Sequence, residues 1–237
     1  MSSNDFARAS SERPGEGSFL VAHRAGNDLG RLQLAQALGI ELVEADVHLF
    51  AGRLEVRHLK TVGPVPILWD RWELAPPWAP RLQLSELLEA AAPGTGLMLD
   101  LKGRDGRLPL LLAAAVARHR PGTGVTVCSQ RWELLEPLRR VAGIRLVHSV
   151  GNARQLARLR REFAARPLAG VSIHRRLLDR GTVAELRERA ESVMSWPVET
   201  PEQALTLAEW GVQGLISSRF DRLASVVINR RAPAVAA

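Results

Sequence analysis

Cysteine is nearly absent from this 237-residue chain. Cys128 is the only one, so no internal disulfide can form and no cysteine-rich zinc site can be assembled. It falls in the apolar run Val125-Thr-Val-Cys-Ser129, where a free thiol acts as a small core residue and fits a reducing compartment. Lysine is almost as scarce: Lys60 and Lys102 stand beside 30 arginines among the 32 basic residues, and the net charge is +7. Those arginines are spread along stretches such as Arg154-Gln-Leu-Ala-Arg-Leu-Arg-Arg161, the pattern of solvated helix faces and not of a nucleic-acid footprint. Long apolar runs are missing too. No segment approaches the roughly 20 residues of a membrane span, and the N-terminal stretch has no apolar signal core. Residues 1–17 read as a flexible polar tail, residues 231–237 as a second tail, and the protein as cytoplasmic. Neither a glycine-rich phosphate loop nor Cys/His zinc spacing occurs, which argues against an NTPase, a dinucleotide-dependent dehydrogenase and a zinc enzyme.

What the chain does have is rhythm, with 46% hydrophobic residues arranged as short apolar runs between longer segments of helical period. The expected strands are 18–24, 41–49, 96–102, 124–129, 144–149, 169–174, 192–198 and 213–217. Helices are expected at 28–38, 84–92, 107–119, 131–141, 152–165, 182–191, 201–210 and 219–229. Eight strand–helix units without a composition break predict one (β/α)8 barrel over 18–230, with a doubly wound open sheet as the alternative. One stretch interrupts the pattern. Gly52 makes a turn that sends 54–59 back as a hairpin arm, and Pro64, Pro66, Pro76, Pro77 and Pro80 then predict an irregular loop to residue 81. Trp69, Trp72 and Trp78 lie in that loop, where covering the barrel end is their simplest role; lining a cleft or touching lipid at the periphery are the alternatives.

Charged residues gather at the ends of the apolar runs Phe19-Leu-Val-Ala-His23-Arg24, Leu42-Val-Glu44-Ala-Asp46-Val47, Leu54-Glu-Val-Arg-His58 and Leu97-Met-Leu-Asp100-Leu-Lys102. Strand alternation turns Glu44 and Asp46 to one face, and Asp100 and Lys102 likewise. Taken singly, each has an ordinary reading: His23 as a hydrogen-bonded core histidine, Glu44 paired with Arg24, Asp100 paired with Lys102. Taken together, three acids and two histidines at the carboxyl ends of barrel strands point to a divalent-cation site for phosphoryl chemistry. His48 is on the same face as Asp46 and reads as a rim histidine. Ser129 and Ser172 read as satisfied strand-end hydroxyls. His119, His148 and His174 are assigned no role.

In order and spacing these motifs resemble the glycerophosphodiester phosphodiesterases and the wider superfamily that includes sphingomyelinase D. The resemblance resumes in Trp196-Pro-Val-Glu-Thr-Pro-Glu-Gln-Ala204 and Gly211-Val-Gln-Gly-Leu-Ile-Ser-Ser218, so that it runs from 18 to 223. It implies a (β/α)8 barrel that cleaves a small-molecule phosphodiester with one divalent cation, Mg2+ or Ca2+. Glu44, Asp46 and Asp100 would hold the metal, Asp100 standing where most relatives have glutamate. His23 and His58 would be the general acid and base, Arg24 and Lys102 would bind phosphate oxygens, and Trp196 would wall the organic group. Glycerophosphodiesters such as deacylated phospholipids are the implied substrates.

The chain also departs from that pattern. Ala25 follows His23-Arg24 where the family has glycine, the loop beyond is shortened with Asn27 echoing a family asparagine, and Leu59 follows His58 in place of aspartate. These departures keep two other expectations open: a phospholipase of the sphingomyelinase D kind, and a barrel that binds a phosphorylated ligand without turnover.

Overall fold

The computed structural model describes the backbone of residues 17–62, 65–70, 73–76, 80–164 and 166–228 and, of these, the side chains outside 60–75. Eight parallel strands close on themselves: β1 (Phe19–Ala22), β2 (Leu42–Phe50), β8 (Gly96–Leu101), β9 (Val125–Ser129), β10 (Ile144–Val150), β11 (Gly170–His174), β12 (Val193–Trp196) and β13 (Gly214–Ser217). β1 pairs with both β2 and β13, which leaves the ring without an edge. The closed barrel, and not the open sheet, is the architecture.

Both faces of such strands are covered, so they read as continuous apolar runs. On the outside, Val43, Ala45 and Val47 of β2, Leu97, Leu99 and Leu101 of β8, and Val171 and Ile173 of β11 join one large buried cluster under the helices. On the inside, Val21, Leu42, Met98, Cys128, Val147, Met194 and Ile216 form a separate plug. Each fully buried aliphatic side chain contributes roughly 1.5–3 kcal/mol against the entropy of ordering the chain. The alternation that points Leu42 and Met98 inward also points Glu44, Asp46 and Asp100 inward, one layer nearer the carboxyl ends of the strands.

The helices are α1 (Leu29–Ala37), α2 (Leu84–Ala90), α3 (Leu108–His119), α4 (Ala153–Glu162), α5 (Arg180–Arg187), α6 (Pro201–Glu209) and α7 (Phe220–Ile228). Asp28, Asn152, Asp179 and Thr200 each cap a helix by accepting a bond from the backbone amide three residues on, a contribution of about 1 kcal/mol apiece. None of the helices among the described residues is long and apolar enough to cross a membrane.

Two expectations are corrected. The helix expected at 131–141 is replaced by two single 3-10 turns, Trp132–Leu134 and Glu136–Leu138. Pro137 cannot donate to a preceding carbonyl, and Trp132 is buried with its Nε1–H donating to the Ser149 carbonyl, so the segment folds down onto β10 in short turns. The excursion after β2 is also more ordered than an irregular loop. Ala51 and Gly52 take φ of 47° and 78°, as a two-residue hairpin turn requires, and β3 (Arg53–Val56) returns antiparallel to β2. A separate sheet of β4 (Lys60–Val62), β5 (Val65–Asp70) and β6 (Glu73–Ala75) follows, and β7 (Leu82–Gln83) then pairs with β3. Pro66 is tolerated inside β5 because it sits at a register shift, where the ladder asks for no donor. The side chains of Trp69, Trp72 and Trp78 lie outside the described residues.

Candidate active site

At the carboxyl end of the barrel, β2 and β8 run side by side with Asp46 opposite Asp100. One carboxylate oxygen each from Glu44, Asp46 and Asp100 can be chosen so that all three lie within 4.8 Å of one another. These oxygens suit a hard divalent cation, which takes ligands at roughly 2.0–2.6 Å. Two further observations fit a cation there. The Oδ1 atom of Asp100 is buried without a hydrogen-bond partner. Glu44 is pushed well up from the ordinary carboxylate range by burial first and then by the charges of Asp46 and Asp100, and Asp100 is raised chiefly by burial.

Lys102 completes the cluster. Its Nζ is 2.9 Å from Asp46 Oδ1 and also donates to Asp100 Oδ2. Burial works against both charges, yet the pair prevails: Lys102 is held above its usual value, and Asp46 is held below its own by Lys102, Asn27 and Arg24. The expected Asp100–Lys102 pair is therefore present, and Lys102 spans Asp46 as well.

β1 ends at Ala22, and His23 and Arg24 occupy the turn beyond it. Arg24 adopts a left-handed backbone, φ 56°, which lets its amide donate to Glu44 Oε2 at 2.7 Å. Its guanidinium Nε lies 3.6 Å from Asp46 Oδ2. His23 Nε2 stands 3.8 Å from Glu44 Oε2. Burial and the nearby Arg24 charge bring the His23 pKa down to about 4, so its imidazole is neutral at pH 7. Asn27 clasps Asp46 twice, Nδ2 donating to Oδ2 at 2.9 Å and Oδ1 accepting from the Asp46 amide at 2.8 Å. Gly26 permits this, because a Cβ there would stand 2.7 Å from Ala45 Cβ. The shortened loop thus rests directly on the strand that bears Glu44 and Asp46.

His58 arrives from the other side, on the arm that leaves β3. The preceding Arg57 donates its amide to the Asp46 carbonyl at 3.0 Å, its Nε to Glu55 at 2.8 Å, and an Nη to the Leu59 carbonyl. Arg81 also reaches Glu55, at 3.2 Å, and both guanidinium groups lie over the Phe50 ring. Glu55, 1% exposed, is the hub of this brace, which the sequence reading passed over. The charge of His58 is felt at both His23 and His48, so the three histidines share one region. His48 is buried, with a pKa brought down to about 3 by burial and Arg57, and is neutral at pH 7.

Across the mouth, Trp196 at the end of β12 packs edge-on against His174 at the end of β11, ring centroids 4.9 Å apart. The alternation that places Ser172 and Met194 inside brings this pair to the opening. Ser129 is outside it: its hydroxyl donates to the Leu101 carbonyl and accepts from the Arg131 amide, the satisfied role expected. His148, also outside the barrel, is buried between Trp132 and Phe163.

No family model matches the sequence, and no curated protein does. Solved structures do match in shape. A phosphodiesterase from Oleispira antarctica, crystallised with the product sn-glycerol-3-phosphate, superposes with a TM-score of 0.73 at 20% identity, covering 90% of this chain and 97% of its own. A glycerophosphodiester phosphodiesterase from Parabacteroides distasonis gives 0.71 at 17% identity, with 91% and 98% covered. One from Thermotoga maritima gives 0.65 at 14% identity, with 87% and 98% covered. The motifs that resembled this family along the sequence therefore lie on a shared three-dimensional frame, and the chain has the barrel fold of the glycerophosphodiester phosphodiesterases.

Proposed function

We propose that this protein is a metal-dependent phosphodiester hydrolase acting on glycerophosphodiesters or related lipid-derived phosphodiesters. The observation that carries the reading is the convergence of Glu44, Asp46 and Asp100 beside Lys102, with His23 and His58 brought to the same mouth by separate, braced turns. Glu44, Asp46 and Asp100 would hold one Mg2+ or Ca2+, which when bound draws charge from the phosphate and acidifies a neighbouring hydroxyl. Arg24 and Lys102 place positive charge where the phosphate oxygens become more negative. His23, neutral at pH 7, takes the proton from the substrate hydroxyl that attacks phosphorus. His58, as the general acid, delivers a proton to the departing alcohol, leaving a cyclic phosphate. Water then opens the ring with the two histidines in exchanged roles, which returns each to its starting state. Trp196 forms the apolar wall for the organic group, and nothing in this scheme involves nucleic acid.

The test is product release from glycerophosphocholine and from a lysophospholipid, with and without Mg2+, Ca2+ or Mn2+. Metal-dependent release of glycerol phosphate is expected from the first. Turnover of the lysophospholipid alone would favour the sphingomyelinase D type of reaction, and no turnover with tight binding of glycerol phosphate would favour a ligand-binding barrel.

A further inference from the structure

The half of the mouth built by β11 and β12 is rich in donors, and Glu199, in the loop after β12, is taken up by the Ser218 hydroxyl at 3.0 Å and by Arg219 at 3.6 Å. His174 Nδ1 accepts from the Arg176 amide at 3.2 Å, which puts the ring proton on Nε2 as its remaining donor. A 3-10 turn, Arg175–Leu177, follows directly. The Arg175 Nε atom is shut off from solvent without a hydrogen-bond partner, and no carboxylate among the described residues pairs with Arg175 or Arg176. Both guanidinium charges are felt at the His174 ring, which stands against Trp196. Several other arginines have carboxylate partners, as Arg158 has Glu162 and Arg160 has Glu185. A buried, unpaired guanidinium N–H calls for an acceptor.

We infer that this half of the mouth, centred on His174 and Arg175, binds a negatively charged group on the organic part of the phosphodiester. The inference rests on the proposed function and adds its substrate class: phosphodiesters whose alcohol carries a second phosphate or another anion. β11 lies across the barrel from β2, so a diester anchored at Glu44, Asp46 and Lys102 extends its alcohol toward His174, Arg175 and Trp196. Planar, multi-donor guanidinium groups favour anionic oxygen, and a quaternary ammonium would meet like charge there. The Trp196 face is the feature that would attract such a cation instead.

Two measurements test this. In the first, glycerol 1,3-bisphosphate and glycerol 3-phosphate are titrated against the Mg2+-loaded protein by calorimetry. The bisphosphate should bind about tenfold more tightly or better, and Arg175→Gln should bring the two close to equality. Equal affinities in the unaltered protein, or a difference that survives Arg175→Gln, would overturn the subsite. In the second, kcat/KM is compared for bis(glycerophospho)glycerol, glycerophosphoinositol and glycerophosphocholine. The anionic substrate should lead, with the ratio to choline falling toward one in Arg175→Gln; choline preference would assign the site to Trp196 and refute the anionic reading. Because the titration does not require turnover, an inactive protein that still discriminates the two ligands would sink the hydrolase proposal and leave the subsite standing.

Discussion

Replacing Gly26 by alanine asks whether the short turn after β1 is what holds the acidic cluster in shape. The new Cβ would lie 2.7 Å from Ala45 Cβ and 3.2 Å from the Glu44 carbonyl oxygen, where carbon atoms ordinarily approach to about 3.5–4.0 Å. Both obstacles belong to a buried barrel strand, so the turn must retreat by about 1 Å. Three bonds are at stake: Arg24 amide to Glu44 at 2.7 Å, and the two Asn27–Asp46 bonds at 2.9 and 2.8 Å. The two bonds to carboxylates contribute about 1.5–3 kcal/mol each, the neutral Asp46 amide–Asn27 bond about 0.5–1.5, and overpacking costs about 1–3 kcal/mol, but one displacement causes all of it. We therefore expect a net loss of about 2–5 kcal/mol, which leaves a domain of ordinary stability folded at 25 °C. Displacement of His23 and Arg24 by that amount should lower kcat/KM on glycerophosphocholine by about 10² or more. Urea unfolding gives the first quantity, and kinetics far below the melting temperature give the second without confusion from unfolding. Turnover and Mg2+ affinity within about threefold of the unaltered protein would refute the role given to this turn.

His23→Ala and His58→Ala should each reduce turnover by about 10² to 10⁴ with little change in melting temperature, and near-normal activity in either variant removes that histidine from the mechanism. Asp100→Asn should weaken Mg2+ binding, read by calorimetry, since it takes away a charged ligand whose Oδ1 is buried without a partner; unaltered affinity would exclude Asp100 from the metal site. Lys102→Met leaves Asp46 and Asp100 without their shared ammonium, and because Lys102 is one-third exposed the loss should fall below the roughly 3–5 kcal/mol of a fully buried pair. Saturating Mg2+ should then raise the melting temperature of that variant more than it raises the unaltered protein's, and equal shifts would contradict the pairing. Burial without a hydrogen-bond partner lowers His148 from 6.5 to about 4, so the fold is favoured above pH 6.5 and that stability is lost as pH falls through 6.5 toward 4. His148→Leu should remove about 3 kcal/mol of this acid sensitivity, measured as the pH dependence of urea unfolding; an unchanged pH slope would assign the sensitivity elsewhere.

What could be read along the chain was whatever follows from period. Apolar runs bounded by glycine and proline located all eight barrel strands to within two residues, because strands buried on both faces carry a dense, local signal. The same two-residue period put Glu44 and Asp46 on one face and all three acids at strand ends; in the fold Glu44, Asp46 and Asp100 come together above the inward Leu42 and Met98. Period says nothing about groups joined across distant segments. The Glu55–Arg57–Arg81 brace spans 26 residues and passes through a proline-rich stretch expected to be an irregular loop, so nothing local joined its members. The segment 131–141 was expected as one helix, and Pro137 and the buried indole of Trp132 break it into two turns. His174 was passed over because an acidic neighbour was sought, whereas its place is defined by Trp196 beside it. Ala25 and the shortened loop looked like losses, with Asn27 as an echo, because they were compared with a longer loop. In the fold they make one tight turn, in which glycine allows contact with Ala45 and asparagine meets both the amide and the carboxylate of Asp46. A shortened loop can keep buried carboxylates in place when the backbone itself comes close enough to supply the missing bonds, and here the Arg24 amide does so for Glu44.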